Sequence, residues 1–237
     1  MLTLRLLLAA RDGCDEALAE RLAEETRRAC ELLGAGSRAI GLMRLAPDPF
    51  ESQYPSPRAF EGVLAIDLPE ASDDGDDCAN RLIDVARDTD QRLAALVQPD
   101  LSGALVARRR RITGGEGPVR FVYLMRHKAG LTTESFQQHW GGPHAEFGRQ
   151  TKGINGYDQL HVDPARACGA ARAAGFGIHR IDGVPELHME SVQDFVSAAV
   201  GSETGNAAIE DEKSFVDTRN SVGFVCREVV RHEGGRR

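Results

Sequence analysis

The chain has 237 residues, enough for one large domain or two of ordinary size, and 41% of them are apolar, so a sizeable core can form. A net charge of −7 argues against a nucleic-acid or anionic-membrane binder, which normally presents a basic face. No stretch reaches the ~20 apolar residues of a membrane span. The five cysteines form no CxxC pair, which fits a reduced, cytoplasmic compartment and not a cysteine metal site.

In chain order, LTLRLLLAA reads as a first strand at 2–9. Leu18, Leu22, Thr26, Ala29 and Leu33 at helical spacing predict a helix over 15–33, stopped by Gly34 and Gly36. A strand at 37–45 follows, then a loop to residue 60 and a strand at 62–68. An acidic loop, a helix at 78–97 and a strand at 103–112 complete a first half of order β-α-β-β-α-β. The Arg108–Arg111 run reads as a solvated strand end.

TGGEGP (113–118) has linker composition. Beyond it, strands at 119–127, 156–163, 182–190 and 221–231 and helices at 132–149 and 191–200 repeat the order. Residues 164–180 read as a loop, and the acidic stretch before the last strand as irregular. The expected fold is therefore α+β: two tandem ferredoxin-like repeats, 1–112 and 119–237, packed sheet to sheet as an intrachain α/β barrel. Large uncovered apolar sheet faces are rare in soluble monomers, which favours that packing over two independent units.

All seven histidines lie in the second half. Strand alternation puts Tyr157, Gln159 and His161 on one side of their strand and Glu186 and His188 on one side of theirs. Taking Leu160, Val162, Leu187 and Met189 as the helix-packing set places those five polar groups together inside the barrel. Buried there, each needs a partner, since an unpaired polar group costs about 1–3 kcal/mol. Phe136, Trp140 and Phe147 fit a helix face. Gly141-Gly142 loosens that helix and Pro143 restarts it, so His144 falls in a first turn whose free N–H groups favour the neutral imidazole, a potential base. No histidine spacing matches a metal motif, and no phosphate loop or nucleophile elbow is present in the sequence.

From Phe121 to Glu228 the sequence resembles the EthD-domain family. The matching positions are Arg126, Lys128, Gly130, Leu131 and Thr132, then Phe136, Trp140 and His144, then Tyr157 and His161, then Asp182, Gly183 and Glu186, and finally Asp211, Glu212 and Phe215. His127 and the double glycine before His144 depart from the family pattern. The first half matches only in element order and reads as a degenerate repeat. The resemblance implies a dimeric α/β-barrel protein acting without cofactor on an aromatic or polyketide-like molecule, and the histidine spacings imply no metal.

The expected function is a lyase or isomerase (dehydratase, decarboxylase or cyclase) in aromatic-compound catabolism or biosynthesis. His144, His161 and Tyr157 would be catalytic, with Gln159, Glu186, His188, Arg126 and Trp140 binding substrate. A cofactor-free monooxygenase and a non-catalytic binding protein are the alternatives. The expected partner is a small-molecule substrate, not nucleic acid or membrane, with a homodimer left open.

Overall fold

A computed structural model describes residues 1–53, 60–70 and 75–235. Its eight strands are β1 (Leu2–Leu8), β2 (Arg38–Arg44), β3 (Gly62–Leu68), β4 (Gly103–Thr113), β5 (Val119–Leu124), β6 (Gly156–Val162), β7 (Gly183–Met189) and β8 (Val222–Glu233). All pair antiparallel and close into a barrel of order β1-β3-β2-β8-β5-β7-β6-β4. The fold is thus mixed α/β around one closed eight-stranded barrel. Each half contributes four adjacent strands in the same spatial order, β4-β1-β3-β2 and β8-β5-β7-β6.

The halves join differently from two sheets laid face to face. β2 hydrogen-bonds to β8 and β4 to β6, so each half closes the other's edges. An open sheet edge leaves a row of unpaired N–H and C=O groups, and closure removes it. Among the described residues, no helix is long and apolar enough to cross a membrane. The five cysteines are unpaired.

Among the described residues, eight α-helices cover the outside: α1 (Asp15–Leu33), α2 (Gly75–Ala86), α3 (Thr89–Arg92), α4 (Thr133–Gly141), α5 (Ala145–Gln150), α6 (Pro164–Ala174), α7 (Val192–Ala198) and α8 (Glu203–Phe215). The helix expected over 78–97 breaks after Ala86, where Asp88 takes a left-handed φ of 56°. The helix expected over 132–149 divides at Gly141-Gly142 into α4 and α5.

Two helices fall where the sequence reading placed irregular chain. In α6 the Asp163 carboxylate accepts from the Ala165 and Arg166 N–H groups, Pro164 takes the first turn, and Gly175 ends the helix at φ 70°. In α8 Ser202 caps the Gly205 N–H. The loops expected near 45–60 and 71–77 lie partly outside the described residues.

An eight-stranded barrel has an interior just wide enough for side chains to fill. Here Leu7, Ile40, Val63, Leu105, Val122, Leu160, Val184 and Phe224 pack its apolar part. The other end is ionic. Arg5 forms a two-pronged pair with Glu186, Nε to Oε1 at 2.7 Å and Nη2 to Oε2 at 3.0 Å, which ties β1 to β7 across the lumen. Asp67 accepts from Arg5, Arg38 and Arg109, while Asp158 accepts from Arg109, Arg111 and His188.

Candidate active site

The expected grouping of five polar side chains inside the barrel does not form. Cross-strand register pairs Tyr157 with Leu187 and Asp158 with Glu186, and directly opposed residues share a sheet face. Glu186 and His188 therefore point inward with Asp158, Leu160 and Val162. Tyr157, Gln159 and His161 point outward, under the helices, with Leu187 and Met189. Alternation within each strand was legible; the register between the strands was not.

Inside, Asp158, Glu186 and His188 bring potential ligand atoms within 4.8 Å of one another. Their donor set suits a cation poorly. Both Glu186 oxygens are engaged by Arg5, both Asp158 oxygens by Arg109, Arg111 and His188, and the buried Arg120 lies 3.5 Å from Glu186. A metal there would have to displace guanidinium groups already paired with those carboxylates.

The cavity with convergent chemistry is outside the barrel, between the second-half sheet and α4, α5, α7 and α8. It encloses about 200 Å³ and is walled by Phe50, Phe121, Tyr123, Trp140, Phe147 and Phe195, among others. That is below the roughly 300–1,000 Å³ typical of drug-sized ligands. No Lys or Arg is among the described residues lining it. Val200 and Ile209, both exposed, sit at its mouth. α7 buries none of its residues and α8 only Phe215, so this cover is lightly anchored.

His144, Glu212 and Tyr157 bring polar atoms to this apolar wall. His144 Nδ1 donates to Asp211 at 2.8 Å, and that carboxylate also accepts from His139 at 3.0 Å. With Nδ1 engaged, Nε2 carries the lone pair, 3.8 Å from Glu212 Oε1. Burial lowers the His144 pKa, against the opposing pull of Asp211. The cause is thus chiefly burial, not free helix amides, since α5 is only six residues long.

Burial and the neighbouring Asp211 charge push Glu212 up to about 7, so near neutrality it holds a proton much of the time. The Tyr157 hydroxyl accepts from Trp140 Nε1 at 3.1 Å and from Gln159 Nε2 at 2.9 Å. Both lone pairs are then occupied and its own proton is left to donate. Burial raises its pKa, keeping it a phenol.

The remaining expected site residues lie elsewhere. Gln159 supports Tyr157 from beneath. His161 stacks on the far side of Trp140, ring centres 4.8 Å apart, and faces a groove beside Arg110; burial and that guanidinium lower its pKa to about 4. Arg126, Glu186 and His188 are not among the cavity's lining residues. Asp211 and Glu212 were given no role from sequence, although they fall in the resemblance pattern. Reading Ser202 as a helix cap would have placed both on one helix.

Residues 128–219 match the family model of the EthD domain. The EthD segment thus supplies His144, Tyr157, Asp211 and Glu212, while Phe121 and Tyr123 lie just before it. No curated protein matches the chain. Among solved structures, an anthrone oxidase-like protein, 13% identical, is similar over 99% of this chain and 93% of its own, with a TM-score of 0.63. A candidate monooxygenase from Fusobacterium nucleatum, 6% identical, is similar over 100% and 95% with a TM-score of 0.55. Another from Lactobacillus acidophilus, 10% identical, is similar over 99% and 96% with a TM-score of 0.51. Identities this low speak for the fold alone.

Gly148 shows how tightly Tyr157 is held. A Cβ there would lie 2.2 Å from the tyrosine ring. Gly148→Ala must push α5 off β6 or turn the ring away. It should cost about 1–3 kcal/mol of stability, the usual range for overpacking. It should also weaken binding of any cavity ligand, to be checked by thermal melting and calorimetry; unchanged stability and binding would contradict the described contact.

Proposed function

We propose that this protein is an acid–base enzyme that removes a proton from a small aromatic substrate held in the cavity under α7 and α8. The observation that carries the reading is the His144–Asp211 pair at an apolar cavity whose same wall holds Glu212. His144 Nε2 takes the proton from an acidic C–H or O–H, and Asp211 stabilises the imidazolium that forms. The Tyr157 O–H donates to the oxyanion that develops on the substrate. Protonated Glu212 returns a proton to another substrate atom, to carbon in an isomerisation or to a departing hydroxyl in a dehydration. These groups suffice for the reaction of a lyase or isomerase, with neither metal nor cofactor in any step.

A second reading, a cofactor-free monooxygenase, draws on the full-length similarity to an anthrone oxidase-like protein and to two candidate monooxygenases. It shares the first step, since the deprotonated substrate is then the electron donor to O₂. We infer further that the halves are tandem ferredoxin-like repeats, 1–112 and 119–237, which the matching strand orders support, and that the protein acts on a small molecule in the cytoplasm.

The test is proton exchange. Anthrone, an enolisable aromatic ketone, is incubated anaerobically in D₂O and its acidic C–H followed by NMR. The wild type should accelerate deuterium uptake and His144→Gln should not. Oxygen consumption in the aerobic mixture selects the monooxygenase; turnover without it selects the lyase or isomerase. Binding with no accelerated exchange would leave a carrier, and the enzyme reading would be abandoned.

A further inference from the structure

The EthD segment does not complete the cavity. Among the described lining residues, Phe50 alone comes from the first half of the chain. It is 6% exposed and meets Phe121 edge-on at 5.5 Å and Phe195 edge-on at 6.1 Å. Those two rings stack on each other at 6.4 Å, so Phe50 closes the edge of a stacked pair.

The segment carrying Phe50 is fastened to the second half by a buried acid. Asp48 Oδ1 accepts from the Phe50 N–H at 3.0 Å, and its Oδ2 accepts from the Val225 N–H of β8 and from Arg44 Nε, both at 3.1 Å. The Leu45 N–H also donates to the Val225 carbonyl at 2.8 Å. A fully buried carboxylate is costly unless its oxygens are engaged, and here all three donors hold one short stretch against the β2–β8 seam. Fixing Phe50 against the second-half sheet is what that arrangement achieves.

We propose that Phe50 is a specificity-determining residue: a rigid wall, delivered by the first half, that sets how many fused rings the cavity admits. The first half then does more than close the barrel, because it supplies a wall that the EthD segment lacks. The proposal rests on the cavity being the substrate site. The ring contacts of Phe50 are with Phe121 and Phe195, so its effect should fall on which ring systems fit.

The experiment measures binding of phenol, 1-naphthol and 1-anthrol by calorimetry. In the wild type and in Phe50→Leu, emission from Trp140, the one tryptophan of the chain and a lining residue, reports whether a probe occupies this cavity; Phe50→Trp, which adds a second tryptophan, is read by calorimetry alone. Two variants keep an apolar side chain: Phe50→Leu, which opens the wall, and Phe50→Trp, which thickens it. Phe50→Leu should shift affinity toward 1-anthrol over 1-naphthol by at least tenfold. Phe50→Trp should weaken 1-naphthol at least tenfold while phenol changes little. Melting curves identify any variant that has lost its fold, in which case the other decides. If a folded variant keeps the wild-type ratios within about twofold, Phe50 is only a packing residue and the proposal fails. If the wild type binds none of the probes and Trp140 emission does not move, the cavity reading itself falls, a separate result.

Discussion

Replacing His144 by glutamine should lower turnover by about 10²–10⁴, the usual contribution of a positioned acid–base group, with the fold intact. Glutamine keeps a donor for Asp211 but offers no basic nitrogen to the substrate. The pH dependence gives the sharper test. Because burial lowers the His144 pKa, the acid-side loss of activity should lie at lower pH than an ordinary histidine would give. Glu212, at about 7, acts in its protonated form, so activity should also fall as pH rises through about 7. The wild type should therefore show a bell-shaped profile. Glu212→Gln should abolish the alkaline limb. Full activity in His144→Gln toward the true substrate would remove His144 from the mechanism, and a profile without the alkaline limb would remove Glu212 as the acid.

The second large effect is on stability. Arg5→Met should take from the buried Glu186 carboxylate its two-pronged partner, leaving it beside Arg120 at 3.5 Å, and Glu186→Leu should take from the Arg5 guanidinium one of its two carboxylate partners, leaving Asp67. Removing one partner of a buried ion pair typically costs 3–5 kcal/mol, about 6–20 °C in Tm for a chain of this size. The double variant should be much less destabilised than the sum of the two, because an apolar pair can replace a buried ion pair at little cost. Asp67 would remain paired with Arg38 and Arg109 in both backgrounds. Thermal melting of the three variants checks this, and additive losses would mean that Arg5 and Glu186 do not act as a pair.

These two sites divide between what the sequence carried and what it did not. The strands and the α1 helix were legible because burial repeats at fixed local periods, as with Leu18, Leu22, Thr26, Ala29 and Leu33, all buried in the structure. The break at Gly141-Gly142 and the position of His144 after it were legible for the same reason: backbone chemistry acts between near neighbours. α6 and α8 are not legible from apolar periodicity, although their caps, Asp163 and Ser202, stand in the sequence, because α6 buries only alanines and α8 only Phe215.

What the tertiary structure alone decided was pairing at long range. Tyr157 and Glu186 each alternate correctly within a strand, yet only the register of β6 against β7 says that they point to opposite sides of the sheet. That register moved the candidate site from the barrel interior to the outer face. The interior went instead to Arg5 and Glu186, which are 181 positions apart and have no local pattern to announce them. The Asp211–His144 contact, 67 positions apart, and the arrival of Phe50 from the other half arise in the same way. Local periodicity fixes which face of its own strand or helix a side chain takes. Which faces meet is settled by how the barrel closes, where every strand edge must find a hydrogen-bonding neighbour at once.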